Sequence, residues 1–225
     1  MFNKSFYTVA IVMTTLASAS FHAQAESSLA GNIGFTSNYI WRGVTQSNDD
    51  AAISGGIDFA HDSGFYAGTW VSSIGGGNYE NDIYAGYNFK AGGFALDAGY
   101  IMYRYPVGAV NADFDEVYLN AGIQNFGLGM AFTIDSEAGG QDDNLYLYAS
   151  ADLPLTESLN LKILAGLYDY DAADSVAAED YRHFHVSLSK DDFVFALDKN
   201  DADLAPGRDD FRFSVSYSKT FDLLE

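Results

Sequence analysis

A chain of 225 residues with no cysteine and a formal net charge of −20 has neither the makings of a disulfide framework nor the positive field that nucleic-acid binding needs. Aromatic residues at 16 % and hydrophobic residues at 48 % exclude an acidic disordered chain, which would bury too little apolar surface. The 22 glycines against 3 prolines suit a curved, closed sheet, and abundant Tyr and Phe suit membrane-interface girdles.

The chain opens as a secretory signal peptide. Lys4 lies in a short basic start, an apolar run extends from Phe6 to Leu16, and small residues lead to a cleavage site at Ala23-Gln24-Ala25. A transmembrane anchor would need a longer run, and Thr8, Thr14 and Thr15 interrupt this one. Residues 1–25 are therefore expected to be removed, leaving a barrel domain of residues 26–225 that begins at Glu26.

From Leu29 to Phe221 apolar and polar residues alternate with a period of two, so that each segment has one greasy and one polar face. The first segment sets Leu29, Ile33, Phe35, Tyr39 and Trp41 outward against Asn32, Thr36, Asn38 and Arg42. The second sets Ile53, Ile57 and Phe59 against Ser54 and Asp58. The third, Phe65 to Ser73, has aromatics on both faces, which leaves its phase open. The fourth and fifth turn Ile83, Tyr87, Phe89 and then Phe94, Leu96, Tyr100 outward, with Asp82, Tyr84 and Asp97 inward. The sixth has Val117 and Leu119 opposite Glu116 and Tyr118, and Leu128, Met130, Phe132 and Ile134 mark the seventh. The eighth faces Tyr146, Tyr148 and Asp152 inward, the ninth Lys162, and the tenth His183, His185 and Ser187 against Phe184, Val186 and Leu188. Phe193, Phe195 and Leu197 oppose Asp198 in the eleventh, and Phe211, Phe213, Val215 and Tyr217 oppose Arg212 and alternate serines in the twelfth.

The connections alternate too. Tight links such as His61 to Gly64, Lys90 to Gly93 and Lys190 to Asp192 are followed by longer ones: Gly43 to Asp50, Ile74 to Tyr79, Pro106 to Asp113, Asp135 to Asp143, Asp169 to Asp180 and Asn200 to Asp210. Short periplasmic turns and long external loops belong to a transmembrane antiparallel up-and-down β-barrel, here of about twelve strands. A soluble sandwich has no reason to keep that alternation; a soluble sandwich or a lipocalin-like barrel is the alternative to the membrane barrel. Phe221 stands where barrel-assembly signals place an aromatic, although Lys219 and the tail from Asp222 to Glu225 depart from the pattern.

The run from Ser37 to Ser47, SNYIWRGVTQS, followed by Gly55-Gly56-Ile57-Asp58 and by Gly64 to Ser72, resembles the N-terminal pattern of the TorF-like family of outer-membrane porins, first grouped as conserved proteins of unknown function. The likeness spans about the first quarter of the mature chain. It implies a Gram-negative outer-membrane barrel assigned as a porin by its architecture, with no established substrate and no catalytic residues. Of the matching residues Tyr39, Arg42, Gly43, Asp58 and Trp70, Arg42 is expected at the lumen rim, either bracing an acidic residue or acting in permeation.

The candidate lumen-lining residues are Arg42, Asp58, Asp82, Asp97, Glu116, Asp152, Lys162, His183, His185, Asp198 and Arg212. A lipid-facing charge at the bilayer midplane costs roughly 2 to 4 kcal/mol, which explains why the charges keep to the polar phase. An open path lined by this acidic excess would favour cations; pairing of the three basic residues with acids across the lumen would leave less field. His183 and Ser187 invite comparison with outer-membrane hydrolases, but they lie on the lumen phase and no oxyanion hole is marked, so no enzyme activity is expected. The carboxylates of Asp169, Asp171, Asp174, Glu179 and Asp180 lack the glycine and terminal glutamate of an EF-hand loop and read as a solvated acidic loop, with no metal site and no cofactor. Expected partners are outer-membrane lipid and lipopolysaccharide, the barrel-assembly machinery and small solutes or ions, with no nucleic acid.

Overall fold

A computed structural model describes residues 27–107, 112–137, 142–170, 179–202 and 210–224. The expected signal peptide and most of the acidic loop after Tyr170 lie outside them.

Twelve antiparallel strands close into a barrel among the described residues. They are β1 (Ser28–Thr36), β4 (Ala52–Ala60), β5 (Phe65–Ile74), β6 (Asn78–Ala91), β7 (Phe94–Arg104), β8 (Phe114–Ile123), β9 (Phe126–Ser136), β10 (Leu145–Pro154), β11 (Leu159–Asp169), β12 (Tyr181–Lys190), β13 (Phe193–Asn200) and β14 (Arg212–Asp222). Two further strands, β2 (Ile40–Trp41) and β3 (Val44–Thr45), form a separate two-stranded hairpin. Every barrel strand pairs with its neighbour in sequence, and β1 closes the ring on β14 from Ala30 opposite Asp222 to Thr36 opposite Ser216. Closure satisfies the ladder on both sides of every strand and removes the open edge that lipid could not hydrogen-bond.

The outer face is apolar and open to the surroundings: Ile33, Phe35, Ile53, Leu119, Leu128, Phe184, Phe195 and Phe213 are all exposed. A water-facing protein of this size does not leave such a continuous band uncovered, whereas a bilayer covers it. Inward positions carry polar groups and tyrosines, among them Asp82, Glu116, His185 and Ser187, all buried. The third segment acquires its phase here. Tyr66, Trp70 and Ser72 point inward, Tyr66 Oη donating to Asp97 at 2.6 Å, and Phe65 and Val71 point outward.

Two sequence expectations are corrected. The link from Ile74 to Tyr79 is no long loop: a single 3-10 turn, Gly75–Gly77, joins β5 to β6, with positive φ at Gly76 and Gly77 making so tight a reversal possible. The first strand also ends earlier than the alternation suggests, at Thr36. Tyr39 and Trp41 therefore do not face lipid. They belong to the hairpin, where Tyr39 is 3 % exposed and edges onto Trp70, while Trp41 packs among Tyr103, Phe114 and Tyr168 inside the barrel.

Candidate functional site

The hairpin is built from local chemistry. Arg42 and Gly43, both at positive φ (48° and 80°), form the two-residue tip between β2 and β3, which is the backbone of a type I′ turn. Only glycine fits the second position, because a Cβ on Gly43 would lie 2.5 Å from the His183 Cβ. Arg42 has no such freedom, and its left-handed backbone is strain that surrounding contacts must hold.

Those contacts cross the whole lumen. Ser37 N donates to the Val215 carbonyl on β14, and Gly75 N to the Gln46 carbonyl. Tyr39 Oη donates to Glu80 on β6 at 2.7 Å, Asn200 Nδ2 on β13 to the Gly43 carbonyl at 2.6 Å, and Arg212 Nε on β14 to Asp49 at 2.8 Å. A segment reaching β6, β13 and β14 at once lies inside the ring, in the half nearest the long loops. The expectation that Arg42 sits on the first barrel strand is corrected accordingly: it rides on an inserted hairpin, where Glu116 of β8 braces it.

That brace has the geometry of a recognition contact. Arg42 Nη1 and Nη2 donate to the two Glu116 oxygens at 2.8 and 2.7 Å, and Tyr103 Oη adds a third donor to Glu116 at 3.3 Å. The guanidinium carbon lies 4.1 Å from the centre of the Trp41 ring and 4.2 Å from that of Tyr146, with Tyr168 at 5.4 Å. Planar stacking combined with a two-pronged carboxylate contact is specific to guanidinium and out of reach of an ammonium.

Of the other sequence candidates, Lys162 pairs with Asp152 at 3.6 Å across β11 and β10. Asp58 accepts from Asn32 at 2.9 Å and from the Tyr84 hydroxyl, and Asp97 from Tyr66 and Asn120. Asp82 is fully buried, with no hydrogen-bond partner on either oxygen among the described residues. The basic three are thus all paired with acids, yet among the described residues Asp58, Asp82 and Asp97 meet no cation, and neither does Glu80, which takes hydroxyls from Tyr39 and Tyr105. Glu80, Tyr103 and Asp49 were not singled out from sequence; Glu80 shares the inward phase with Asp82 two residues on.

His183 meets Tyr146 at 2.9 Å and does not touch Ser187. His185 does: its Nε2 lies 3.0 Å from Ser187 Oγ and its Nδ1 2.9 Å from Asp198. This is the order of a Ser-His-Asp relay, and the β12 backbone around it is engaged in ladders with β11 and β13, which commits its N–H groups to the sheet among the described residues. Their hydrogen bonds tie β12 to β13.

Residues 21–206 match the family model described as "Bacterial protein of unknown function (Gcw_chp)". The chain belongs to that family. Its description assigns no activity, and the TorF-like name suggested by the motif is not part of it. No curated protein matches the chain. Among solved structures, the fold is similar to that of the KdgM porin, at a TM-score of 0.57 and 10 % identity over 85 % of this chain and 99 % of that one. It is also similar to an outer membrane channel from Pseudomonas putida F1, at a TM-score of 0.54 and 13 % identity over 92 % of this chain and 100 % of the other. At these identities the likeness establishes the barrel fold.

Proposed function

We propose that this Gcw_chp barrel is an outer-membrane porin that passes small solutes or ions passively, prefers cations, and is throttled by its inserted hairpin. The surplus of inward carboxylates carries the reading: among the described residues Asp58, Glu80, Asp82 and Asp97 have hydroxyl, amide or no partners where a neutral lumen would supply lysine or arginine. Fixed acidic groups in a narrow path attract cations and repel anions. The TorF-like motif supports the same class, and the fold is one that named outer-membrane channels use. Arg42, Glu116, Asp152, Lys162, His183, His185, Asp198 and Arg212 complete the proposed lining. Chemistry at Ser187 is not part of the reading, because the β12 backbone beside it is committed to the sheet ladders. Lipid and lipopolysaccharide would cover the outer band, and the barrel-assembly machinery would insert the chain once its signal peptide has exported it.

A second reading, a structural or surface-interaction barrel with a blocked lumen, is favoured by the number of hairpin anchors. Conductance separates the two. Refolded protein in a planar bilayer under a salt gradient is expected to give stable steps with a cation-selective reversal potential, and Asp58→Asn with Asp97→Asn should move that potential toward zero. Folded protein that stays silent would support the blocked barrel.

A further inference from the structure

We infer that the wall pocket gripping Arg42 is a recognition site for solutes that carry a guanidinium group, and that Arg42 occupies it as a built-in stand-in for them. The inference rests on the reading of the lumen as an aqueous path, since that is how a solute reaches the pocket.

Three observations converge on it. The wall supplies what a free guanidinium needs: both Glu116 oxygens in one plane, the Tyr103 hydroxyl steadying that carboxylate, and the Tyr146 ring stacked beneath. The side chain that fills it belongs to a separate two-stranded hairpin with a strained tip, not to the wall, so the pocket and its occupant are independent parts. The surroundings are also more acidic than one arginine requires. Glu80 and Glu116 both act on Asp82, whose oxygens find no donor among the described residues, so Glu116 belongs to a cluster of three acidic groups of which it is the one that Arg42 contacts. A simple strut would need Glu116 alone. A buried carboxyl group without a donor, such as Asp82, is costly to ionise, and a second cation close by would lower that cost.

Tethering gives Arg42 a high effective concentration, so a free solute competes poorly against the intact hairpin and binds readily once the side chain is removed. The test is therefore made on full-length Arg42→Ala that also carries Trp70→Phe, refolded in lipid vesicles, with Trp41 emission as the reporter. Methylguanidinium is expected to give a saturable change with a Kd on the order of 1 mM. Equal concentrations of sodium or tetramethylammonium should give none, and adding Glu116→Ala should abolish the response. A response that is linear, shared by tetramethylammonium or retained without Glu116 overturns the inference. Should Arg42→Ala not insert, Arg42→Lys keeps a charge but cannot make the two-pronged contact, and the same saturation is expected from it; its absence overturns the inference equally. Binding is read without current. Saturation in a barrel that never conducts upholds the pocket and rejects the pore, whereas conductance without saturation rejects the pocket alone.

Discussion

Replacing residues 38–50 by a short Gly-Ser turn should raise single-channel conductance several-fold while leaving the barrel folded. Thr36 and Ala52 are register partners at the ends of β1 and β4, so a tight turn can join them without moving either strand. Removing the whole hairpin also differs from removing one anchor. Taking away Arg42 alone leaves Glu116 buried without its partner, a situation that typically costs about 3 to 5 kcal/mol. Taking away the hairpin lets water reach Glu80, Glu116 and Asn200 and solvate them, so the folded state loses less. Planar-bilayer recording checks the expectation. Conductance equal to that of the intact protein would place the barrier in the other half of the lumen, where Tyr66 meets Tyr118, Tyr84 meets Asp58 and Tyr148 meets Asn120.

Leu119→Arg should destabilise the barrel in lipid by roughly 2 to 4 kcal/mol. Leu119 lies mid-way along β8, points outward and is 43 % exposed, so in a membrane its replacement puts a cation in hydrocarbon. In water the same change at so open a position would be nearly neutral. Leu119→Ala, which loses contact area without adding charge, should cost less than Leu119→Arg. Urea titrations of protein folded into vesicles measure both variants. Equal stabilities for Arg and Ala would mean that the outer face does not meet lipid.

The barrel was legible because the environment imposes the pattern. Oil on one side and water on the other force the alternation of Phe193, Phe195 and Leu197 against Ala196 and Asp198, and no internal packing blurs it. The same rule failed where both faces tolerate the same residue. In β5, Tyr66 and Trp70 inside look no different from Phe65 outside, because an aromatic with a polar edge suits a lumen wall as well as a lipid boundary. It failed again after Thr36, where Tyr39 and Trp41 keep the odd-numbered apolar phase although the chain has already left the wall. Arg42-Gly43 between Trp41 and Val44 was the available signal, a glycine-containing dipeptide between apolar residues, as in a two-residue hairpin. Gly75 to Gly77 read as a loop by composition, yet positive φ at Gly76 and Gly77 makes a turn short enough to need no loop. His183 and His185 share one phase, but Ser187 stands two residues from His185 and four from His183 on the same strand, so spacing picks out His185, and the register that sets it opposite Asp198 supplies its second partner.

The insertion of the hairpin can be tested through the two tryptophans, Trp41 and Trp70, both of which lie inside the barrel although an outward Trp41 fits the alternation equally well. Trp70→Phe leaves Trp41 as the sole indole, and refolding that variant into vesicles of brominated lipid reports whether the indole touches acyl chains. Emission unchanged from that in ordinary lipid is the predicted result, since Trp41 is enclosed by Tyr103, Phe114 and Tyr168. Strong quenching by the brominated chains would put Trp41 on the outer face and contradict a hairpin folded into the lumen.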